Sequence, residues 1–251
     1  SFLHIDKPEI DLPEGTDPYS PAVYAKAREN FIRFQQEGLL KQDATPHYYL
    51  YAQTMAGRTQ YGLVAAVSTV EYDKGIIRKH ELTRKDKELD RSKHVQALHA
   101  TTGPVFLTYP DDADIDRTVA GVISDFPVCS FMADDGIRHT FWVISDPDDM
   151  AKIEEAFKKI PVLYIADGHH RSAAAGNVAA MLRKKYPAQG EDASFNYFLA
   201  VIFPASQLFI MDYNRLVKDL NGRTPEEFIQ ALKKDFYVQA TGLAKPTRRH
   251  S

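Results

Sequence analysis

Cysteine is nearly missing: Cys129 is the single one in 251 residues. That excludes an internal disulfide and any cysteine-based zinc site, and it suits a reducing, cytoplasmic setting. Long apolar runs are missing too. None approaches the roughly 20 residues that a membrane-spanning helix requires, so neither a membrane span nor a signal peptide is expected. An excess of positive charge is also lacking, since 31 Lys and Arg stand against 34 Asp and Glu for a net charge of −3. A broadly basic nucleic-acid surface is thereby disfavoured, and DNA binding is not expected. There is no internal repeat and no low-complexity tract. No methionine opens the chain, and Lys245-Pro246-Thr247-Arg248-Arg249-His250-Ser251 closes it just after a strand-like Phe-Tyr-Val. Both ends are those expected of an internal fragment of a longer protein.

What is present is ordinary in bulk, with 44% hydrophobic and 26% charged residues, and unusual in one place. Over Pro161 to Gly176 an apolar run stops at charge and resumes as small residues: Pro-Val-Leu-Tyr-Ile-Ala, then Asp-Gly-His-His-Arg, then Ser-Ala-Ala-Ala-Gly. The pattern predicts a buried strand over Pro161 to Ala166 and a helix over Ser172 to Lys185, with Asp167 to Arg171 at the junction. An Asp-Gly pair before a helix ordinarily makes only a turn and a cap, and a single histidine there is more often a packing residue. Two histidines and an arginine directly after it point instead to an anion site. The free N–H groups of a helix's first turn carry partial positive charge, and Gly168 lets a ligand approach the backbone closely. His169, His170 and Arg171 add donors, the guanidinium in a planar fork. Asp167, an acid among bases, suits a metal ligand or a proton acceptor.

The remaining elements follow from local signals. Ser1 to Tyr19 reads as an extended lead-in. Ser20-Pro21 opens a helix that Gly38 closes, with an apolar stripe at Tyr24, Ala27, Phe31 and Phe34. His47 to Met55 and Thr59 to Thr69 form a hairpin, and Cys129 to Ser145 forms another that turns at Asp134-Asp135-Gly136. Pro104 to Tyr109 is a strand and Ile115 to Phe126 a short helix. Asp146-Pro147-Asp148-Asp149 starts a helix over Met150 to Ile160. Asn196 to Phe203 and Gln207 to Asp212 are apolar runs split by Pro204, and Thr224-Pro225-Glu226-Glu227 is a capping box for a last helix. Strands and helices mix without strict alternation. The expected fold is therefore a single α+β domain, a mixed sheet with flanking helices.

Lys79 to Arg91 is the second unusual stretch: Lys-His-Glu-Leu-Thr-Arg-Lys-Asp-Lys-Glu-Leu-Asp-Arg. If its latter part is helical, Arg84, Glu88 and Arg91 share a face and can pair at i,i+4 and i,i+3. The plain reading is a solvated helix with weak surface ion pairs. His80, Glu81, Thr83 and Arg84 precede that helix, where they could supply a base, a metal ligand and a phosphate clamp.

The motifs Lys79-His80-Glu81 with Thr83-Arg84, Glu88 and Arg91, Tyr164 to Arg171, and Tyr213-Asn214-Arg215 resemble those of the bacterial and archaeal family called domain of unknown function 1015. The likeness runs along essentially the whole chain. Proteins of that family are often labelled as similar to chromosome-partitioning ParB proteins. The Asp-Gly-His-His-Arg turn also resembles the nucleotide-phosphate turn of the ParB/sulfiredoxin fold and of free-serine kinases built on it. The resemblance implies that Gly168 to Ser172 binds a nucleotide, ATP or ADP, or pyrophosphate. Sulfiredoxins carry a reactive cysteine in this turn, where His169 stands here, and ParB proteins add basic helical segments that this chain lacks. The expected activity is thus phosphoryl transfer to the hydroxyl of a small polar metabolite, with serine the first guess. His169, His170, Arg171 and Ser172 with the helix N-terminus would hold the donor, Arg84 and Arg91 the transferring group. Glu81 or Asp167 would act as base or hold magnesium, with His80 beside them. Two alternatives stand beside it: a metal-dependent hydrolase using Asp167, His169 and His170, and a nucleotide-binding partition protein.

Overall fold

A computed structural model describes residues 1–211 and 217–240. The chain divides into two compact units, residues 1–208 and 209–251. In chain order the first unit contains α1 (Leu3–Asp6), α2 (Pro21–Gln36), β1 (Tyr48–Met55), β2 (Arg58–Ser68), α3 (Thr69–Asp73), β3 (Ile77–Arg78) and α4 (Lys85–Leu98). It continues with β4 (Val105–Tyr109), α5 (Ala113–Val122), β5 (Cys129–Met132), β6 (Arg138–Ile144), α6 (Pro147–Lys159), β7 (Leu163–Asp167), α7 (His169–Lys185) and β8 (Tyr197–Pro204). The fold is α+β: one eight-stranded mixed sheet, in the order β3-β7-β4-β8-β2-β1-β6-β5, with flanking helices.

Alternation of apolar residues explains which segments became strands. Val105, Leu107 and Tyr109 of β4 are buried, as are Phe198, Ala200 and Ile202 of β8 and Leu50 and Ala52 of β1, each set two residues apart and hence on one face. β1 and β2 turn at Ala56-Gly57, both with positive φ, which matches the twist of the flanking strands. β4 runs parallel to β8 and antiparallel to β7, so it joins the hairpin half of the sheet to the half that carries β7 and β3. β3 is only two residues long and lies parallel to β7, with Ile77 opposite Leu163 and Arg78 opposite Tyr164. Helix starts follow side-chain caps: Ser68 accepts from Val70 and Glu71 N–H, Asp112 from Asp114 and Ile115, Asp146 from Asp148 and Asp149. α7 follows β7 directly and buries Ser172 to Gly176, Val178 and Ala179. These small residues bring it close to its neighbours, so that a Cβ at Gly176 would lie 3.3 Å from the Tyr72 ring. α7 packs against α4 and α3, and α4 against α2.

Several expectations are corrected. Residues 1–19 are not an extended lead-in: α1 and a 3-10 turn at Pro8–Asp11 bury Ile5 and Pro8, because Asn30 Nδ2 donates to His4 O and Asp11 Oδ2, both at 2.8 Å. The helix expected from Ser172 begins three residues earlier, since Gly168 at φ 97° makes the turn in a single residue. The helix expected to reach Phe126 ends at Val122. Ser20 precedes α2 in extended conformation but makes no side-chain cap bond. The apolar run from Gln207 opens at the end of a 3-10 turn, Ala205–Gln207, whose Gln207 carbonyl accepts from Arg58 and Gln60 of β2. Asp212 and the motif Tyr213-Asn214-Arg215 lie outside the described residues.

The second unit contains α8 (Pro225–Leu232), started by the expected capping box: Thr224 Oγ1 accepts from Glu227 N–H, and Glu227 accepts from Thr224 N–H.

Ile165, at the centre of β7 and 1% exposed, anchors the strand that delivers Asp167 and Gly168. Ile165→Ala is expected to lower unfolding free energy by about 3 kcal/mol, the usual cost of deleting a buried aliphatic side chain. Urea denaturation followed by circular dichroism measures it.

Candidate functional site

The two unusual stretches meet. Two residues of β3 pair with β7, and Leu163 N–H donates to Ile76 O at 3.0 Å, so the chain leaving β3 runs beside the β7–α7 junction. His80 N–H then donates to His169 Nε2 at 3.5 Å, and Arg84 N–H to His170 Nε2 at 3.1 Å. The His80 ring stands edge-on to His169, centroids 4.5 Å apart. Glu81 Oε2 lies 3.4 Å from His169 Nδ1. Because Nε2 accepts a hydrogen bond, the proton of the neutral His169 ring sits on Nδ1, facing the Glu81 carboxylate. Burial of His169, 4% exposed, pushes its pKa below the usual imidazole value, and neighbouring His80 pushes the same way, outweighing Glu81. Glu81 therefore faces a neutral N–H donor.

Gly168 caps α7 without a side-chain bond, so the first-turn N–H groups have no side-chain cap. The side chains that follow take separate directions. His169 turns inward to His80 and Glu81, and His170 accepts from the Arg84 backbone. Arg171 folds back across the turn: Nη1 donates to Pro104 O at 2.6 Å and Nη2 to Asp167 Oδ2 at 3.0 Å. Cβ atoms built on Gly103 and on Gly168 would each lie 3.2 Å from its guanidinium, so both glycines make room for it. Ser172 is fully buried, its Oγ donating to Gly168 O at 3.2 Å, and so faces the helix rather than the open side of the turn. Asp167, beside the turn, is exposed and paired with Arg171.

The expected ion pairs along α4 do not form. Arg84 grips Asp86 through Nε and Nη2, Arg91 lies 4.0 Å from Asp90, and Glu88 instead joins the Thr83 hydroxyl and Asn177 Nδ2 of α7. Glu88 thus ties α4 to α7, since a partner on a packed neighbour outcompetes a solvated one on the same helix. Asp167, His169 and His170 of the hydrolase alternative point to three different partners. Among the described residues no group of three or more His, Cys, Asp or Glu is placed to hold a metal ion.

Arg91 and Arg171 both line the wall of a cavity of about 300 Å³ formed by α1, α4, α7, β8 and the loop before β4. Lys7, His94 and Thr101 also line it. Sequence reasoning missed these three: Lys7 because residues 1–19 carried no packing signal, His94 and Thr101 because each stands alone in a plain context.

Linkage gives this geometry a pH dependence. The folded His169 takes a proton at lower pH than the unfolded chain's imidazole, near 6.5. Its contribution to stability is complete above about pH 6.5 and is lost as pH falls below that value toward the folded pKa, because the unfolded chain binds the proton first. Urea midpoints between pH 5 and 8 should fall on the acid side for the wild type and flatten in His169→Gln.

No curated protein and no solved structure matches the chain. A family model matches residues 1–251, the same residues that hold the His80–Glu81 segment and the Asp-Gly-His-His-Arg turn. The chain therefore belongs to the family described as Protein of unknown function (DUF1015).

Proposed function

We propose that the protein transfers a phosphoryl group from ATP, ADP or pyrophosphate to the hydroxyl of a small polar metabolite. The observation that carries this reading is the meeting of the His80–Arg84 segment with the uncapped N-terminus of α7, next to a cavity walled by Arg91 and Arg171. Phosphoryl transfer asks a protein chiefly to position two reactants and to neutralise charge on three equatorial oxygens, and little covalent chemistry is needed.

In this reading the donor phosphates sit on the first-turn N–H groups of α7, where Gly168 lets them approach and the helix dipole favours negative charge. Arg84 belongs to the segment beside this turn through its backbone N–H, with its exposed guanidinium paired to Asp86. Arg171, fixed by Pro104 and Asp167, adds a cation at the border between turn and cavity, and Arg91 a second on the cavity wall. A magnesium ion carried in on the phosphates would neutralise part of their charge. Such an ion needs one or two carboxylates beside phosphate and water, which the exposed Asp167 can supply. Glu81 takes the part of general base. It is exposed, it is oriented by a neutral Nδ1–H, and it belongs to a different segment from the donor turn. His169 is then a positioning residue, and His80 covers it. The resemblance to ParB/sulfiredoxin-fold serine kinases, carried by the same turn, points to the same chemistry.

The test pairs binding with turnover. Calorimetry with ATP, ADP and pyrophosphate should find at least one that binds, and that donor should phosphorylate at least one member of a hydroxyl-metabolite panel that includes serine. Glu81→Gln is expected to lower kcat by roughly 10²-fold with donor affinity unchanged, the size of a lost general base. Asp167→Asn is expected to weaken donor binding as well as turnover. Absence of donor binding, or Glu81→Gln with wild-type kcat, would overturn the assignment.

A further inference from the structure

The cavity beside Arg171 has a chemistry of its own. Its wall is mixed, with Val105 and Phe198 of the sheet and Ala174 of α7 as its apolar part. Three cations surround it, Lys7, Arg91 and Arg171, against one carboxylate, Asp6, which already accepts from Thr102 Oγ1 at 2.6 Å. Arg171 is held in place by its two hydrogen bonds. Lys7 and Arg91 are looser. Lys7 Nζ is 3.7 Å from Glu9 and Arg91 Nη1 is 4.0 Å from Asp90, both longer than a charge-assisted hydrogen bond, and their side chains are 58% and 42% exposed. A concave surface lined by one sign of charge over low-dielectric walls focuses its field inward and concentrates counter-ions there. Lys7 and Arg91, being loosely paired, remain able to turn toward an incoming anion.

Two polar groups complete the wall. Thr101 Oγ1 accepts from Leu199 N–H at 3.2 Å, which leaves its own hydroxyl proton to donate. His94 Nε2 donates to Ile5 O at 2.9 Å, which fixes its ring on the same wall. Apolar walls with a few convergent polar groups are the usual make-up of a metabolite site. The volume, about 300 Å³, lies at the small end of such sites. It suits a molecule of a few carbons.

We infer that this cavity is the acceptor pocket, and that the acceptor is a small hydroxy metabolite bearing an anionic group, a carboxylate or a phosphate monoester, held by Lys7 and Arg91. The word acceptor rests on the phosphoryl-transfer reading; the anion site rests on the cavity alone. Arg171 borders both the donor turn and this pocket; Glu81 is not among the wall residues, so the acceptor's hydroxyl must project past Arg171 toward the turn to meet that base.

Calorimetric titration of the whole chain without nucleotide tests the pocket, using D-glycerate for the carboxylate, glycerol 3-phosphate for the phosphate monoester, and glycerol for neither. At least one of the two anions should bind, glycerol should not, and the better anion identifies the group. Lys7→Gln and Arg91→Gln should each weaken that anion roughly 10-fold or more, as loss of a charged partner does. Thermal unfolding of both variants should match the wild type, since the ion pairs they lose are long and solvated. Anion binding that persists while ATP, ADP and pyrophosphate all fail to bind supports the pocket and removes the transfer reading. Failure of both anions, equal binding of glycerol, or wild-type anion affinity in both folded variants overturns the pocket even if the donors bind.

Discussion

Two residues of parallel pairing hold the site together. Ile77 against Leu163 and Arg78 against Tyr164 form the whole of β3, yet this ladder brings a charged segment of the chain to the end of β7. Ile77 is fully buried, so the ladder is clamped by packing as well as by hydrogen bonds. Downstream of it, backbone N–H groups of His80 and Arg84 are spent on the two histidine rings of α7. The side chains of Glu81 and Arg84 are thereby set from outside the turn, and the imidazoles serve as acceptors for a neighbouring loop. Two adjacent histidines in a helix's first turn therefore work here largely as a fastening between segments.

That fastening alters the electrostatics of the junction. A buried, neutral His169 contributes an N–H to Glu81 and no charge, and the cations nearest the turn are arginines that stay charged at any ordinary pH. Arg171 is committed to a backbone carbonyl and a carboxylate, Arg84 to Asp86. The side chains that keep looser partners, Lys7 and Arg91, lie around the cavity. Positive charge at this surface is thus sorted into a part with close partners and a part that faces open space.

Much of the fold was legible in the sequence because its signals are local. Alternation in β1, β4 and β8, the Ala56-Gly57 turn, the Asp146 cap and the Thr224–Glu227 capping box each depend on residues within a few positions of one another. The family was legible too, since the Asp-Gly-His-His-Arg and Lys-His-Glu motifs are contiguous. What escaped depends on distant partners. Nothing near Ile5 or Asn30 tells that residues 1–11 fold onto α2, and nothing near Glu88 tells that Asn177 draws it away from Arg84 and Arg91. The start of α7 was misjudged because Gly168 makes in one residue a turn that the sequence suggested would take five. The cavity was invisible for the same reason, since its wall takes residues from five separate segments.

The first eleven residues act as a peg driven between two helices. Asn30 of α2 donates to His4 O and Asp11, His94 of α4 to Ile5 O, and Thr102 to Asp6, so each tie crosses from this segment to a different part of the unit. A protease that clipped the chain after Asp11 would do more than shorten a terminus. It would strip the acceptors from two buried side chains, uncover Ala27, Phe34 and Leu98 where Ile5 had packed, and remove Lys7 from the wall it shares with Arg91.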